Sequence, residues 1–297
     1  MTREISVVLD GYSYTECPRW HEGRLWFADF YTHQVVSARA DGSEVRVEAE
    51  VPQQPSGLGW LPDGRLLVVS MRDSKLLRRE RSGDLVEHAD LAPYATGHPN
   101  DMVVDEQGRA YVGNFGFDLM AGAPIASATL VRVDPDGSVT EVAEELLFPN
   151  GSAITPDGTL VVSETFGNRI AAFDIADDGS LRNRRAWATF GAVPDTTAVG
   201  EALPQLAVAP DGLCLDAEGA VWAADALNGR AIRVREGGEI VDEVTCDFGV
   251  FACMLGGDDG RTLFLSAAPD FDEHARSAAR EARVLAVHVD VPHAGLP

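Results

Sequence analysis

Four oxygen-bearing side chains stand at matched places in this chain. Glu16, Asn100, Asn150 and Asp211 lie seven or eight residues ahead of Gly23, Gly108, Gly158 and Gly219, in the strings TECPRW, PNDMVV, PNGSAI and PDGLCL. Two carboxylates would neutralise a divalent ion, and two amide carbonyls would add to its shell. Hard oxygen ligands in this mixture suit Ca2+, and less well Mg2+ or Mn2+. No pair of histidines or thiols stands beside them, which weakens a Zn2+ reading. Taken singly, Pro-Asn-Asp, Pro-Asn-Gly and Pro-Asp-Gly are turn sequences, because Pro and Gly preset backbone angles and Asn or Asp caps them. Glu16 is a poor turn residue, however, and four such oxygens at equivalent places are harder to assign to turn chemistry. A carboxylate such as Asp211 at the mouth of an apolar strand is then tolerated because an ion neutralises it.

The elements that would position these residues repeat along the chain. Six times a glycine turn precedes a short apolar run: HEGRLWFAD, PDGRLLVVS, EQGRAYVGN, PDGTLVVSE, AEGAVWAAD and DDGRTLFLS, with Gly23, Gly64, Gly108, Gly158, Gly219 and Gly260 as the turn residues. Each run ends on a polar residue six places past its glycine: Asp29, Ser70, Asn114, Glu164, Asp225 and Ser266. A short strand precedes each glycine, and after most runs a second apolar segment follows. Four short strands per unit, at a spacing of about forty residues or more, match the blades of a propeller. Six units predict an all-β, six-bladed β-propeller of four antiparallel strands per blade, read as one domain over residues 1–297. The segment REISVVLD has no hairpin partner in its own unit and is expected to complete the outer edge of the last blade, leaving no open edge strand. In a propeller the first strand of each blade lines the central channel, so the four oxygens would face one another. The two remaining units place Ser56 and Ala252 or Cys253 at the same position. Residues 114–129 and 187–208 stretch two units and are expected to form functional loops over the scaffold.

Composition narrows the partners. The 297 residues are 45% hydrophobic and carry a formal net charge of −23. That balance argues against a nucleic-acid surface, which needs Lys and Arg to displace counterions, and disfavours an anionic membrane. No run of ~18 apolar residues occurs, and a cytoplasmic location is expected. Cys17, Cys214, Cys246 and Cys253 have no CxxC spacing and read as buried free thiols.

The strings TECPRW (15–20), HPND (98–101), FPNGSAITPDGTLVVSETFGNRIAAFDIADDGSLRNRR (148–185) and PDGLCLDAEGAVWAAD (210–225) resemble the senescence-marker-protein, gluconolactonase and luciferin-regenerating-enzyme family. The resemblance covers nearly the whole chain. It implies a propeller that hydrolyses lactones with one divalent cation in the channel, held by Glu16, Asn150 and Asp211, with Asn100 a further ligand or a substrate contact. Sugar-lactone members commonly carry an arginine two residues before the channel asparagine, where this chain has His98. Arginine offers a bidentate fork to sugar hydroxyls and histidine does not. The following loop, NFGFDLMAGAPIA, is apolar, with Phe115 and Phe117. A lactone less polar than a sugar lactone is therefore the expected substrate, contacted by His98, Asn100, Phe115 and Phe117. Asp118 falls about where sugar-lactone members place an acidic substrate contact. Asp211 is the expected catalytic group, as a base or a nucleophile. Organophosphate or ester hydrolysis on the same metal, or a non-catalytic scaffold, are the alternative readings.

Overall fold

The computed structural model describes residues 3–295. Twenty-four strands form six four-stranded antiparallel sheets. Their first strands are Thr15–His21, Pro55–Trp60, Pro99–Val104, Pro149–Ile154, Pro210–Leu215 and Gly249–Gly256. Each first strand packs against the first strands of the blades on either side, and the sixth packs against the first, so the ring is closed. This is a six-bladed β-propeller. The six blade glycines adopt φ between 70° and 83° in the tight turns after the first strands, a backbone that side chains with a Cβ rarely take.

Closure comes from both ends of the chain. Strand Ile5–Tyr12 pairs with Ala282–His288 as the outermost strand of the last blade, with Ser6 opposite Ala286. The seam between first and last blades is filled by Leu9, Leu25, Phe27, Phe264 and Val284, and Trp20 stacks on Phe264 at 5.8 Å. Burial of each large apolar side chain contributes about 1.5–3 kcal/mol. The same inter-blade packing recurs around the ring, for example Tyr111, Leu160, Val162 and Phe173 between the third and fourth blades.

The first strands share an irregularity that the repeat did not reveal. In every blade the pairing of first and second strands slips near its start, as between Pro99 and Met102, Pro149 and Ser152, and Pro210 and Leu213. A bulge of this kind inserts unpaired residues and re-aims their side chains. In these three blades Asn100, Asn150 and Asp211 are the first residues of the bulge. The Pro-Asp-Gly string is therefore part of a strand, not a turn. Its glycine is required by close approach: a Cβ on Gly212 would lie 2.4 Å from Ala252 Cβ, and one on Gly151 would lie 2.5 Å from Leu213 N.

Three loops rise on one side of the ring. Residues 115–127 and 190–208 are tied by the Ile125 N–H donating to the Thr197 carbonyl at 2.7 Å. The third, absent from the sequence expectation, leaves the last blade and carries the short helix Glu273–Ala279. The Tyr31 hydroxyl donates to the Phe271 carbonyl at 2.6 Å, and Arg72 pairs with Glu273 at 2.7 Å. No helix among the described residues is long and apolar enough to cross a membrane.

Candidate active site

A cavity of about 410 Å3 opens between these loops, and Glu16, Asn100, Asn150 and Asp211 all line it. Residues 195 positions apart in the chain thus meet at one end of the channel. All four side chains are buried. From the first strand of the last blade the cavity is lined by Phe251, not Ala252 or Cys253. Cys253 is turned away, its thiol against the Trp222 carbonyl at 3.3 Å.

The polar ends of the second strands set these positions. Asp29 accepts the N–H groups of Ser13 and Tyr14 at 3.0 and 2.9 Å. Glu164 accepts that of Leu147 at 2.9 Å, and Asp225 that of Ala209 at 3.1 Å. Each therefore clamps the backbone two or three residues ahead of Glu16, Asn150 or Asp211. The repeat showed that a polar residue ends each run, and the structure supplies the reason.

Of the three carboxylates that line the cavity, Glu273 is paired with Arg72, whereas the buried Glu16 and Asp211 form no salt bridge among the described residues. Burial pushes the Glu16 carboxyl up to about 8, against weaker stabilisation from the Cys17 N–H, which donates to its Oε2 at 2.9 Å. Burial, with the negative charges of Glu16 and Asp101, raises Asp211 well above the usual carboxylate range. Asp101 lies deeper and is itself neutralised by Arg19 at 2.5 Å, both side chains buried. That pair was missed from the sequence, although an arginine in an otherwise buried first strand demands a buried partner. Asp211 Oδ1 has no hydrogen-bond partner among the described residues, a costly state for a buried oxygen.

These features fit a divalent cation. Two uncompensated carboxylates match its charge, and the orphaned Asp211 oxygen marks where a partner is wanted. Among the described residues no three His, Cys, Asp or Glu side chains converge in metal-binding geometry, so the shell would have to include the Asn100 and Asn150 carbonyls. Each of these oxygens accepts one hydrogen bond, from Ser56 at 3.0 Å and from Asn100 at 2.9 Å respectively, and keeps a second lone pair.

The remaining wall is mainly apolar: Phe30, Met71, Phe115, Phe148, Phe166 and Phe251 surround the polar floor, with Leu119, Met120, Val199 and Leu203 nearer the loops, while Tyr31, Gln54, Arg72 and Glu273 add a polar edge. Phe115 stacks on Phe148 at 4.4 Å. His98 lines the cavity edge-on to Phe115 at 6.2 Å, with Nδ1 3.2 Å from the Met71 carbonyl. A carbonyl only accepts, so Nδ1 carries the hydrogen and Nε2 is left as an acceptor in the neutral ring. Phe117 stands behind the wall, packed on Phe148 and Phe166 at 5.9 and 5.7 Å. Asp118 does not line the cavity: it is exposed and accepts the Ala121 N–H at 3.0 Å, capping a turn. Insertion of the turn after Phe117 directs it outward. Tyr14, Thr165, Phe148 and Phe251 line the cavity without having been singled out by sequence. Of these, Phe148 and Thr165 carried a usable signal, since both lie in the matched string 148–185.

The family model described as the SMP-30/Gluconolactonase/LRE-like region matches residues 14–269. The chain belongs to this family. Among curated relatives of this SMP-30/gluconolactonase chain is the 6-deoxy-6-sulfogluconolactonase of Pseudomonas putida, 26% identical over 85% of this chain and 82% of that protein. Regucalcin of Xenopus laevis is 27% identical over 89% of this chain and 86% of its own. Among solved structures, a calcium-binding protein, regucalcin, from Agrobacterium tumefaciens superposes with a TM-score of 0.79 at 19% identity, covering 100% of this chain and 97% of that one. At that identity the likeness carries the family fold alone.

Proposed function

We propose that the protein is a divalent-cation-dependent lactonase, with Ca2+ held by Glu16, Asn100, Asn150 and Asp211. The single observation that carries this reading is the convergence of two uncompensated buried carboxylates and two oriented amides on one cavity. The sulfogluconolactonase relative adds the reaction class.

Glu16, Asn100, Asn150 and Asp211 would hold the cation, which would supply Lewis-acid stabilisation of the charge that develops on the lactone carbonyl oxygen. Asp211 takes the proton from the attacking water as the water oxygen bonds to the carbonyl carbon. The ring C–O bond then breaks, and the same proton is returned to the departing alkoxide, giving a hydroxy acid. Asn100 and Asn150 hold the floor of the site in fixed orientation. The aromatic wall excludes bulk water and seats the rest of the substrate, with the His98 ring at its edge beside Phe115.

The apolar lining favours a lactone bearing an aliphatic or aromatic substituent over a polyhydroxylated sugar lactone. Burying such a substituent gains about 25 cal/mol per Å2 of apolar surface, whereas sugar hydroxyls would lose hydrogen bonds to water against Phe115, Phe148 and Phe166. The test is acid release from a panel of alkyl, aryl and sugar lactones, using chelated protein refilled with Ca2+, Mn2+, Mg2+ or Zn2+. The expected result is turnover only after refilling, fastest on the apolar lactones. Full turnover by the chelated protein would contradict the reading.

A further inference from the structure

One line of hydrogen bonds runs around the mouth of the ring and crosses from blade to blade. The Ser56 hydroxyl donates to Asn100 Oδ1 at 3.0 Å, Asn100 Nδ2 donates to Asn150 Oδ1 at 2.9 Å, and Asn150 Nδ2 donates to Thr165 Oγ1 at 3.3 Å. Thr165 Oγ1 in turn donates to the Pro210 carbonyl at 2.8 Å. The line ends one residue before Asp211. At its other end the Cys17 thiol lies 3.5 Å from Ser56 Oγ, one residue after Glu16.

The direction of this line is forced. A carbonyl oxygen can only accept, so the single hydroxyl hydrogen of Thr165 must go to Pro210. Thr165 Oγ1 is then left only as an acceptor, and the group of Asn150 that faces it must be the amide nitrogen. Asn150 Oδ1 consequently faces Asn100 and needs a donor, which fixes the Asn100 amide. Asn100 Oδ1 needs a donor in its turn, and the Ser56 hydroxyl supplies it. The orientation of both amides, which side-chain shape alone leaves open, follows from the Pro210 carbonyl, and the Asp211 carboxylate beside Asn150 favours the same orientation. Thr165 is rigidly placed to pass it on: its own N–H donates to the Phe148 carbonyl at 3.1 Å. The preceding Glu164 is locked by Arg169 at 2.8 Å.

We propose that Thr165 and Ser56 are positioning residues, which through this one-directional line hold the Asn100 and Asn150 carbonyl oxygens ready for a cation. The link to a cation rests on the reading given under Proposed function. Outer partners of this sort typically change metal affinity by about 10–100-fold. The line also accounts for a small hydroxyl in the second blade: Ser56 is the donor to Asn100, not a missing ligand.

The test has two readouts. In chelated, 15N-labelled protein, the side-chain amide hydrogens of Asn100 and Asn150 are expected to exchange slowly with solvent, and in Thr165→Val those of Asn150 are expected to exchange fast. Calcium titration by calorimetry should show affinity about 10–100-fold lower in Thr165→Val and near wild type in Thr165→Ser. A merely structural role would lower the melting temperature of the chelated variant without changing its calcium affinity, and that result overturns the proposal. Fast amide exchange in the wild type also overturns it, whatever the calcium result. Slow exchange that depends on Thr165, in a protein that binds no calcium, would uphold the hydrogen-bond line and sink the cation reading instead.

Discussion

Asp225 Oδ1 accepts the N–H of Ala209 at 3.1 Å, two residues ahead of Asp211. The same carboxylate holds Arg230 at 2.9 Å and Asn228 at 2.8 Å, and it is fully buried. Its task is to pin the mouth of the fifth blade's first strand, so the site depends on a residue that does not line it. Asp225→Ala leaves the Ala209 N–H and the Arg230 guanidinium without their partner. We expect a loss of stability of about 3 kcal/mol, read by urea denaturation, together with weakened calcium binding. A variant as stable as the wild type would show that the clamp is dispensable.

The pH dependence of the metal-free protein should run opposite to that of an ordinary paired carboxylate. Burial raises Glu16 from 4.5 to about 8 and raises Asp211 in the same direction. Between those limits the folded, metal-free chain keeps protons that the unfolded chain has released. Its stability therefore falls as pH rises from 4.5 to about 8. A cation displaces those protons, so the stabilisation from a fixed calcium concentration should grow across the same window. Melting temperatures with chelator and with calcium, at about pH 5.5 and about pH 8.5, check this. The calcium-induced rise should be larger at the higher pH. An equal rise at both would show that the two carboxyls do not take the ion.

Asp211→Asn separates fold from chemistry. The amide removes an uncompensated buried charge, so the chelated variant should melt no lower than chelated wild type near pH 8. Lactone hydrolysis should fall by about 10²–10⁴-fold, the range expected when a positioned proton acceptor is lost. Retained turnover would move the proton transfer to another group.

The apolar wall makes its own prediction. Phe115 stacks on Phe148 and forms part of the cavity lining. Phe115→Ala should raise KM about 10-fold or more for a lactone with a long alkyl or aryl substituent, since losing a fitted hydrophobic contact costs about 1–3 kcal/mol. An unsubstituted small lactone should be affected little. Equal losses on both substrates, in side-by-side initial-rate measurements, would mean that the wall shapes the floor instead of selecting the substituent.

The blade count and the closing strand Ile5–Tyr12 were legible because glycine turns and apolar runs recur with fixed spacing, and local pattern dictates them. The four oxygens were legible for the same reason: aligning the glycines aligns the bulges that carry Asn100, Asn150 and Asp211. Other features depend on contacts between blades that no local pattern encodes. The Arg19–Asp101 pair links the first and third blades, and the Thr165 hydroxyl meets a carbonyl of the next blade. The exposed placement of Asp118 was not legible, because a gap-free count cannot foresee the turn it caps. The Glu273–Ala279 loop escaped notice because its contacts with Tyr31 and Arg72 lie about 200 residues away in the chain.

The most direct test of the account is the number of calcium ions bound per chain by chelated protein in calorimetric titration, comparing wild type with Glu16→Gln. One tight ion is expected in the wild type, and its loss, or a large drop in affinity, in the variant. Calcium binding of equal strength in both, or none in the wild type, would contradict the claim that side chains from separate blades jointly hold the ion.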